Sequence, residues 1–246
     1  MKAIVTPQAG GLGSTATGAA CALALAASTA IGASAATAPL PPVAASATPE
    51  AVFQPPGDAA IPDNDFGKDV RLGQAIFNDT GHQAPEFVGN SLRCASCHLD
   101  QGRLANSAPL WAAYVAYPAY RSKNGHVNTF AERLQGCFRF SMNGKAPPLG
   151  DKVLVALESY AYFLAKGAPV GATMAGKGYP TPPKPALAMD FARGRQVFED
   201  KCALCHGHDG QGQTARGAVV FPALWGAHSF NWGAGMGSIK NAAGFI

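Results

Sequence analysis

Cys94-Ala95-Ser96-Cys97-His98 is a C-x-x-C-H pentapeptide, the pattern by which haem is attached covalently to a polypeptide. Two thiols at this spacing can each form a thioether with one vinyl group of a haem, and the adjacent imidazole then lies beneath the iron as its proximal ligand. The pattern recurs as Cys202-Ala203-Leu204-Cys205-His206. The sequence therefore predicts two covalently bound haem c groups, with His98 and His206 as axial ligands of the two irons.

Two other kinds of site contain C-x-x-C pairs. A zinc site could combine the four cysteines of both pairs, and a single pair could act as a redox dithiol. Neither alternative explains why a histidine directly follows each pair. Covalent haem attachment is therefore the favoured interpretation.

The composition of the 246-residue chain sets broad limits on its class. The length allows one or two ordinary domains, and a formal net charge of +4 gives no reason to expect a nucleic-acid partner. Four of the six cysteines belong to the haem motifs, and Cys21 lies in a segment that we expect to be removed. Cys137 is then left without a disulfide partner, and an unpaired cysteine in an exported protein requires its own explanation.

The first 63 residues are predicted to stand apart from the folded domains. An uncharged, Ala-rich run extends from Gly18 to Ala35 and ends in an A-x-A cleavage pattern, so residues 1–35 are predicted to be a secretory signal peptide. A membrane anchor is the alternative, but the run is short and rich in alanine for a spanning helix. We therefore expect a periplasmic protein without stable membrane insertion once the signal is removed. Residues 36–63 are rich in proline and alanine and are predicted to form an extended leader.

A glycine recurs at the same place before each haem motif. Gly73 precedes Phe77 and Gly194 precedes Phe198 in two G-x-x-x-F segments, and apolar residues around the first fall at helical spacing. Glycine inside a helix costs about 1 kcal/mol relative to alanine, so its recurrence indicates a close crossing with another helix. The first domain is predicted to close with a helix over 151–166. This helix has Asp151 as its N-cap and an apolar face of Val153, Leu157, Tyr160 and Leu164.

Both halves of the chain resemble class I cytochromes c, so the expected fold is mainly α, with two such domains in tandem. The first domain is predicted over residues 64–168, a Gly- and Pro-rich linker over 169–185, and the second domain over 186–246. No closing helix is evident after residue 233, apart from a short start at 241–246. We therefore expect the sequence to be incomplete at its C-terminus.

The distal side of the first haem has two candidate ligands, Cys137 and Met142. Methionine is the usual partner of histidine in cytochromes c, whereas a thiolate is a strong donor that lowers the reduction potential. Between residues 117 and 150 the basic side chains are Arg121, Lys123, Arg133, Arg139 and Lys145, against Glu132 as the single acid. Cations favour a thiolate and attract anions, although a solvated basic face has the same composition. Both ligands remain candidates on this basis.

Three segments resemble the thiosulfate dehydrogenases, periplasmic dihaem cytochromes c that are also described as tetrathionate reductases. They are Leu110-Trp111-Ala112-Ala113-Tyr114, Tyr117-Pro118-Ala119-Tyr120-Arg121 and, most specifically, Arg133-Leu134-Gln135-Gly136-Cys137-Phe138-Arg139-Phe140-Ser141-Met142-Asn143-Gly144. The resemblance implies that Cys137 is the distal ligand of the first iron and the catalytic centre, with Arg133 and Ser141 in the substrate pocket. Arg121 and Lys123 join them as candidates because of their charge and proximity.

The same resemblance implies a reaction. Two thiosulfate ions are joined into tetrathionate, or the reverse, and electrons pass from the first haem to the second and then to a soluble c-type cytochrome or similar acceptor. The family's distal ligand for the second haem, a Lys or a Met, is expected beyond Ile246; Met236 is an alternative, although a packing role is favoured for it. A dihaem electron carrier without a substrate, and a haem subunit of Sox-type sulfur oxidation, remain the other hypotheses.

Overall fold

The computed structural model describes residues 51–246; the predicted signal peptide and residues 36–50 of the predicted leader lie outside this range. The α-helices of this range are α1 (Asp65–Asn78), α2 (Thr80–Gln83), α3 (Leu99–Gly102), α4 (Leu110–Tyr114), α5 (Phe130–Gly136), α6 (Lys152–Leu164), α7 (Phe191–Lys201), α8 (Ala203–His206) and α9 (Ile239–Phe245). Four short strands form two antiparallel hairpins, β1 (Ala119–Arg121) with β2 (His126–Asn128) and β3 (Gln213–Ala215) with β4 (Ala218–Phe221). Within residues 51–246, no helix is both long enough and apolar enough to cross a membrane.

The core of the first domain forms where α1 crosses α6. The side chain of Asn64 caps α1, and the carboxylate of Asp151 caps α6 by accepting a hydrogen bond from Val153 N at 2.8 Å. Gly73 lies so close to α6 that a Cβ atom there would be 2.0 Å from the carbonyl oxygen of Ala156. The predicted Asp151 cap and the close crossing at Gly73 are confirmed. The predicted apolar residues are buried, namely Val70, Ile76 and Phe77 on α1 and Val153, Leu157, Tyr160 and Leu164 on α6.

The second domain does not repeat this crossing within the described residues. Asp190 caps helix α7, since its side chain accepts a hydrogen bond from Arg193 N at 2.7 Å, but α7 buries none of its residues. A Cβ atom at Gly194 would meet no atom within 4 Å. No helix of residues 51–246 lies against Gly194, so the predicted close crossing is not observed in this part of the chain and stays a prediction.

The end of the predicted leader packs on the first domain. The rings of Phe53 and Trp111 lie with their centroids 5.4 Å apart. The carboxylate of Asp58 accepts hydrogen bonds from Gln74 Nε2 at 3.0 Å and from Arg103. An aromatic ring and a carboxylate of the predicted leader thus find partners on the first domain, whose start at residue 64 stays a prediction.

The predicted linker, residues 169–185, also contributes to the first domain. The carbonyl oxygens of Gly176 and Gly178 accept hydrogen bonds from Asn106 N at 2.7 Å and from Ala108 N at 2.9 Å. These bonds satisfy backbone donors of a loop that belongs to no helix or strand. Part of the predicted linker thus contacts the first domain through backbone hydrogen bonds, and the linker boundaries stay a prediction.

Candidate active site

A cavity of about 310 Å³ lies beside the first haem motif. Its lining is mostly apolar and includes Phe77, Leu110, Phe130, Leu134, Phe138 and Leu157. The residues with predicted roles that line it are Cys94, Cys97, His98, Arg133, Cys137, Ser141 and Met142. The structure therefore brings the first haem motif and the segment around Cys137 together at one site.

The two cysteines of the first motif are held as thiols. The hydroxyl oxygen of the fully buried Thr80 accepts a hydrogen bond from Cys94 N at 3.1 Å. Burial raises the pKa of the Cys94 thiol to about 12 and that of the Cys97 thiol to about 11. Burial therefore favours the neutral thiol form of both groups.

The ring of His98 is oriented by a backbone carbonyl. Its Nδ1 lies 2.6 Å from the carbonyl oxygen of Ala108, and because a carbonyl oxygen only accepts, Nδ1 carries the proton. Nε2 is then the unprotonated nitrogen and is the atom that can bind iron. Burial also lowers the pKa of His98, which favours the neutral ring that a metal ligand requires.

The predicted catalytic residues come from one continuous helical segment. Helix α5 begins with a capping box, in which the Thr129 hydroxyl accepts from Glu132 N at 3.2 Å and the Glu132 carboxylate accepts from Thr129 N at 2.7 Å. The segment then continues as a π-helix that begins at Cys137 and ends at Ser141. Arg133, Cys137 and Ser141 are spaced by four positions, and all three line the cavity.

Arg133 is the direct partner of the Cys137 sulfur. Its Nη1 donates a hydrogen bond to Cys137 Sγ at 2.7 Å. The negative charge of a Cys137 thiolate raises the pKa of Arg133, so the guanidinium stays charged. Met142, only 3% exposed, lines the same cavity. Both predicted distal ligands thus line the cavity, and Cys137 is the one that accepts a hydrogen bond from a charged side chain.

Arg121 and Lys123 lie in a second cleft of about 320 Å³, lined by residues between 116 and 123. Arg121 donates a hydrogen bond to the hydroxyl of Tyr117, and Tyr117 in turn contributes to the raised pKa of Arg133. Arg121 is therefore linked to the catalytic cavity through one side chain and does not line it. Arg121, which the sequence suggested as a pocket residue, thus lines the second cleft together with Tyr117 and Lys123.

Lys123 contacts the second domain. Its Nζ donates a hydrogen bond to the carbonyl oxygen of Gly233 and lies 4.5 Å from the centroid of the Phe140 ring, a cation–π contact. Asn231 N donates to the carbonyl oxygen of Phe140 at 3.0 Å, and Asn231 Nδ2 donates to that of Arg139 at 2.8 Å. The second domain is therefore attached directly to the π-helix of the catalytic segment.

Part of the cavity wall was missed by the sequence-based predictions. The second domain contributes Phe230, Ala234, Gly235, Met236 and Asn241, and the predicted linker contributes Gly178 and Tyr179. Met236, considered above as a distal ligand of the second haem, thus lines the cavity of the first motif. No spacing or periodicity signals these positions, because they reach the first domain only after the chain folds back on itself.

The second motif repeats the arrangement around its histidine. His206 Nδ1 donates to the carbonyl oxygen of Pro222 at 3.1 Å, which again leaves Nε2 for a metal. Cys202 and Cys205 are half-buried and form no disulfide. Within residues 51–246, no group of three or more His, Cys, Asp or Glu side chains converges to hold a metal ion. The two cysteine pairs therefore do not combine into the alternative zinc site.

The first site fits a covalently attached haem. Its largely apolar cavity suits a macrocycle, and its two neighbouring thiols are free to form thioethers. His98 presents an unprotonated ring nitrogen, and the sulfur of Cys137 is a second donor in the same cavity.

Two protein-family models match this chain. The model described as the SoxA/TsdA cytochrome c domain matches residues 83–170, and the model described as cytochrome c matches residues 191–244. The predicted fold class of two cytochrome c domains in tandem is confirmed, and so are the two haem c groups that such domains hold.

Curated relatives and a solved structure are similar over most of this chain. A thiosulfate dehydrogenase from Thiomonas intermedia strain K12 is 60% identical over 232 residues, which cover 93% of this chain and 74% of the relative. A thiosulfate dehydrogenase from Stutzerimonas stutzeri strain A1501 is 55% identical over 197 residues, 80% of this chain and 64% of the relative. The as-isolated thiosulfate dehydrogenase (TsdBA) from Marichromatium purpuratum matches with a TM-score of 0.76 and 50% identity, over 79% of this chain and 43% of the solved chain. This chain thus spans less than half of the solved chain.

Proposed function

Because this chain belongs to the thiosulfate dehydrogenase family, we propose that it joins two thiosulfate ions into tetrathionate, or runs the reverse reaction, at the cavity around Cys137. The resemblance predicted from the sequence is confirmed, and the chain is a member of an enzyme family of cytochromes c. The observation that supports the proposed reaction is the hydrogen bond from Arg133 to the Cys137 sulfur in an apolar cavity beside a haem motif. The Cys137 sulfur, the Arg133 guanidinium and the motif that would hold an electron-accepting haem are thus neighbours.

Cys137 is the sulfur nucleophile of the proposed reaction. Its thiolate and the terminal sulfur of one thiosulfate form an S–S bond, and two electrons leave as the S-thiosulfonate of Cys137 forms. The terminal sulfur of a second thiosulfate then attacks the bound sulfane sulfur and displaces the Cys137 thiolate. Two thiosulfates become one tetrathionate, two electrons are released, and no proton is gained or lost.

Positive charge near Cys137 offsets the repulsion between the reacting anions. Two dianions and a thiolate must approach one another, and a charged Arg133 guanidinium 2.7 Å from the sulfur lowers the energy of that approach. Ser141 lines the same cavity and supplies a hydroxyl that can donate to a sulfonate oxygen. Arg121 is proposed to act indirectly, because it lies outside the cavity lining and bonds to Tyr117.

Haem bound at the two motifs would supply the electron-accepting chemistry, with His98 and Cys137 as its proposed ligands at the first motif and His206 at the second. The two electrons per tetrathionate are proposed to pass from the first haem to the second and then to a soluble c-type cytochrome or a similar acceptor. The proposed location is the periplasm, on the basis of the A-x-A cleavage pattern that ends at Ala35 and of haem attachment outside the cytoplasm.

Turnover by the isolated, haem-loaded chain tests this proposal. With thiosulfate as substrate and ferricyanide as acceptor, we expect one tetrathionate for every two thiosulfates consumed and two ferricyanides reduced. A carrier without its own substrate would oxidise no thiosulfate, and a Sox-type subunit would require partner proteins. A chain whose two haems are reduced by dithionite but that oxidises no thiosulfate would contradict the proposal.

Arg133→Gln is expected to lower kcat/KM for thiosulfate by about 10–100-fold, because a hydrogen bond to a charged group contributes about 1.5–3 kcal/mol. Arg139→Gln is the matched control: Arg139 is exposed, belongs to the same helical segment and lies outside the cavity lining. We expect the kcat/KM of Arg139→Gln to stay within about twofold of that of the unsubstituted protein. Both values are measured from initial rates at fixed ionic strength. Equal losses in the two variants would mean that net charge, and not the contact with Cys137, controls the rate.

A further inference from the structure

The backbone that orients His98 has an unusual conformation. Ala108, whose carbonyl oxygen accepts the hydrogen bond from His98 Nδ1 at 2.6 Å, has a φ of 48°, and Asn106 has a φ of 64°. Residues other than glycine rarely adopt these left-handed values, which persist only where the surrounding structure fixes them. The orientation of the His98 ring therefore depends on the contacts that hold this loop.

Residues 176–179, called here the connector, supply those contacts. The carbonyl oxygen of Gly178 accepts a hydrogen bond from Ala108 N at 2.9 Å, and that of Gly176 accepts one from Asn106 N at 2.7 Å. Asn106 and Ala108, which have left-handed φ values, are thus the two residues of this loop that bond to the connector. Because Ala108 is bonded to the connector through its N–H and to the imidazole through its carbonyl, a displacement of the connector is transmitted to the ring.

The connector also joins the first haem motif to the second domain. The hydroxyl of Tyr179 donates to the carbonyl oxygen of Cys97 at 2.9 Å, and burial raises the pKa of this hydroxyl, so it remains a donor. The Tyr179 ring lies edge-on against Phe245 of α9, with the centroids 5.7 Å apart. A Cβ atom at Gly244 of α9 would lie 2.3 Å from the carbonyl oxygen of Pro180, the residue that follows the connector. The connector is therefore packed between α9 and the haem motif.

We propose that the connector is a positioning element that sets the reduction potential of the first haem through the His98 ring. A strong hydrogen bond from Nδ1 to a carbonyl gives the imidazole more anionic character, which makes it a better donor and stabilises oxidised iron. Loosening the connector weakens this bond and raises the potential of the first haem. His206 is held by the carbonyl oxygen of Pro222, so the second haem serves as an internal reference. The inference requires haem at the first motif and does not require the proposed substrate.

Two glycine substitutions separate this role from general backbone strain. Gly176 has a φ of 78°, and a Cβ atom there would lie 2.7 Å from the Cβ atom of Ala105. Gly171 has a φ of 76°, and a Cβ atom there would meet no atom within 4 Å. The two alanine variants carry the same unfavourable φ, but only Gly176→Ala forces the connector away from the loop that it supports.

EPR-monitored potentiometry and amide hydrogen exchange on the haem-loaded chain measure the effect. In Gly176→Ala we expect the reduction potential of the first haem to rise and that of the second haem to stay unchanged. We also expect amide hydrogen exchange at Asn106 and Ala108 to be at least about tenfold faster. In Gly171→Ala we expect all of these to match the unsubstituted protein. Equal potentials of the first haem in the two variants, or equal shifts of both haems, would overturn the proposal. Neither readout uses thiosulfate turnover, so failure of the proposed reaction would be recognised separately.

Tyr179→Phe tests the same role with a smaller change. It removes only the hydroxyl that donates to Cys97 and keeps the ring against Phe245. Tyr162→Phe is the matched control, because Tyr162 is half-exposed and packs on other aromatic rings of the first domain. We expect the potential of the first haem to rise in Tyr179→Phe and to stay unchanged in Tyr162→Phe. If the reduction potential of the first haem were identical in these two variants, the proposed role of the connector would be contradicted, even if Gly176→Ala failed to bind haem.

Discussion

Cys137→Ser is expected to lower thiosulfate turnover by at least about 10³-fold, since removal of a covalent nucleophile eliminates the pathway that it carries. Serine is close to cysteine in size, but its hydroxyl forms no S–S bond with thiosulfate. The substitution also takes away the sulfur that Arg133 contacts at 2.7 Å. Low-temperature EPR of the same oxidised, haem-loaded sample is expected to lose the low-spin thiolate signal of the first haem.

Met142→Leu is the matched control for this experiment. Met142 is buried at the same cavity, and leucine conserves most of its volume, so the fold is expected to tolerate the change. If Cys137 is the distal ligand, Met142→Leu retains both the thiolate signal and most of the turnover. An unsubstituted protein with a His/Met spectrum, lost in Met142→Leu and kept in Cys137→Ser, would favour the electron-carrier hypothesis instead.

Gly73→Ala is expected to destabilise the first domain by at least about 3 kcal/mol, the upper part of the range for overpacked cores. The added Cβ atom would lie 2.0 Å from the carbonyl oxygen of Ala156 and 2.8 Å from the Cβ atom of Tyr160. No rotamer change moves these atoms, so α1 and α6 would have to separate. A loss of this size is a large part of the total of about 5–15 kcal/mol that stabilises a typical domain.

Gly194→Ala is the matched control from the second G-x-x-x-F segment. A Cβ atom at Gly194 would meet no atom within 4 Å, and alanine is favoured over glycine in an exposed helix by about 1 kcal/mol. Guanidinium unfolding of the haem-loaded chain, followed by far-UV circular dichroism, is expected to show a lower midpoint for Gly73→Ala and an equal or higher one for Gly194→Ala. Similar decreases in both variants would mean that the helix crossing is not what requires Gly73.

Several features of this chain can be predicted from its sequence because they depend on residues close together along it. The C-x-x-C-H spacing reflects the geometry of thioether attachment, and the Asp151 cap reflects an unpaired N–H at a helix start. Arg133 and Cys137 share one face of a helix because they are four positions apart. Gly194 shows the limit of such patterns: it permits a close helix approach but does not indicate that a partner helix is present.

The surroundings of the first haem motif depend instead on contacts between distant parts of the chain. Lys123, expected near the substrate because of its charge, bonds to Gly233 of the second domain and lies against the Phe140 ring. The connector holds its loop through the carbonyl oxygens of Gly176 and Gly178, and a backbone carbonyl has no signature in residue type. These groups meet because the whole chain packs in one way, and no local spacing in the sequence records that packing.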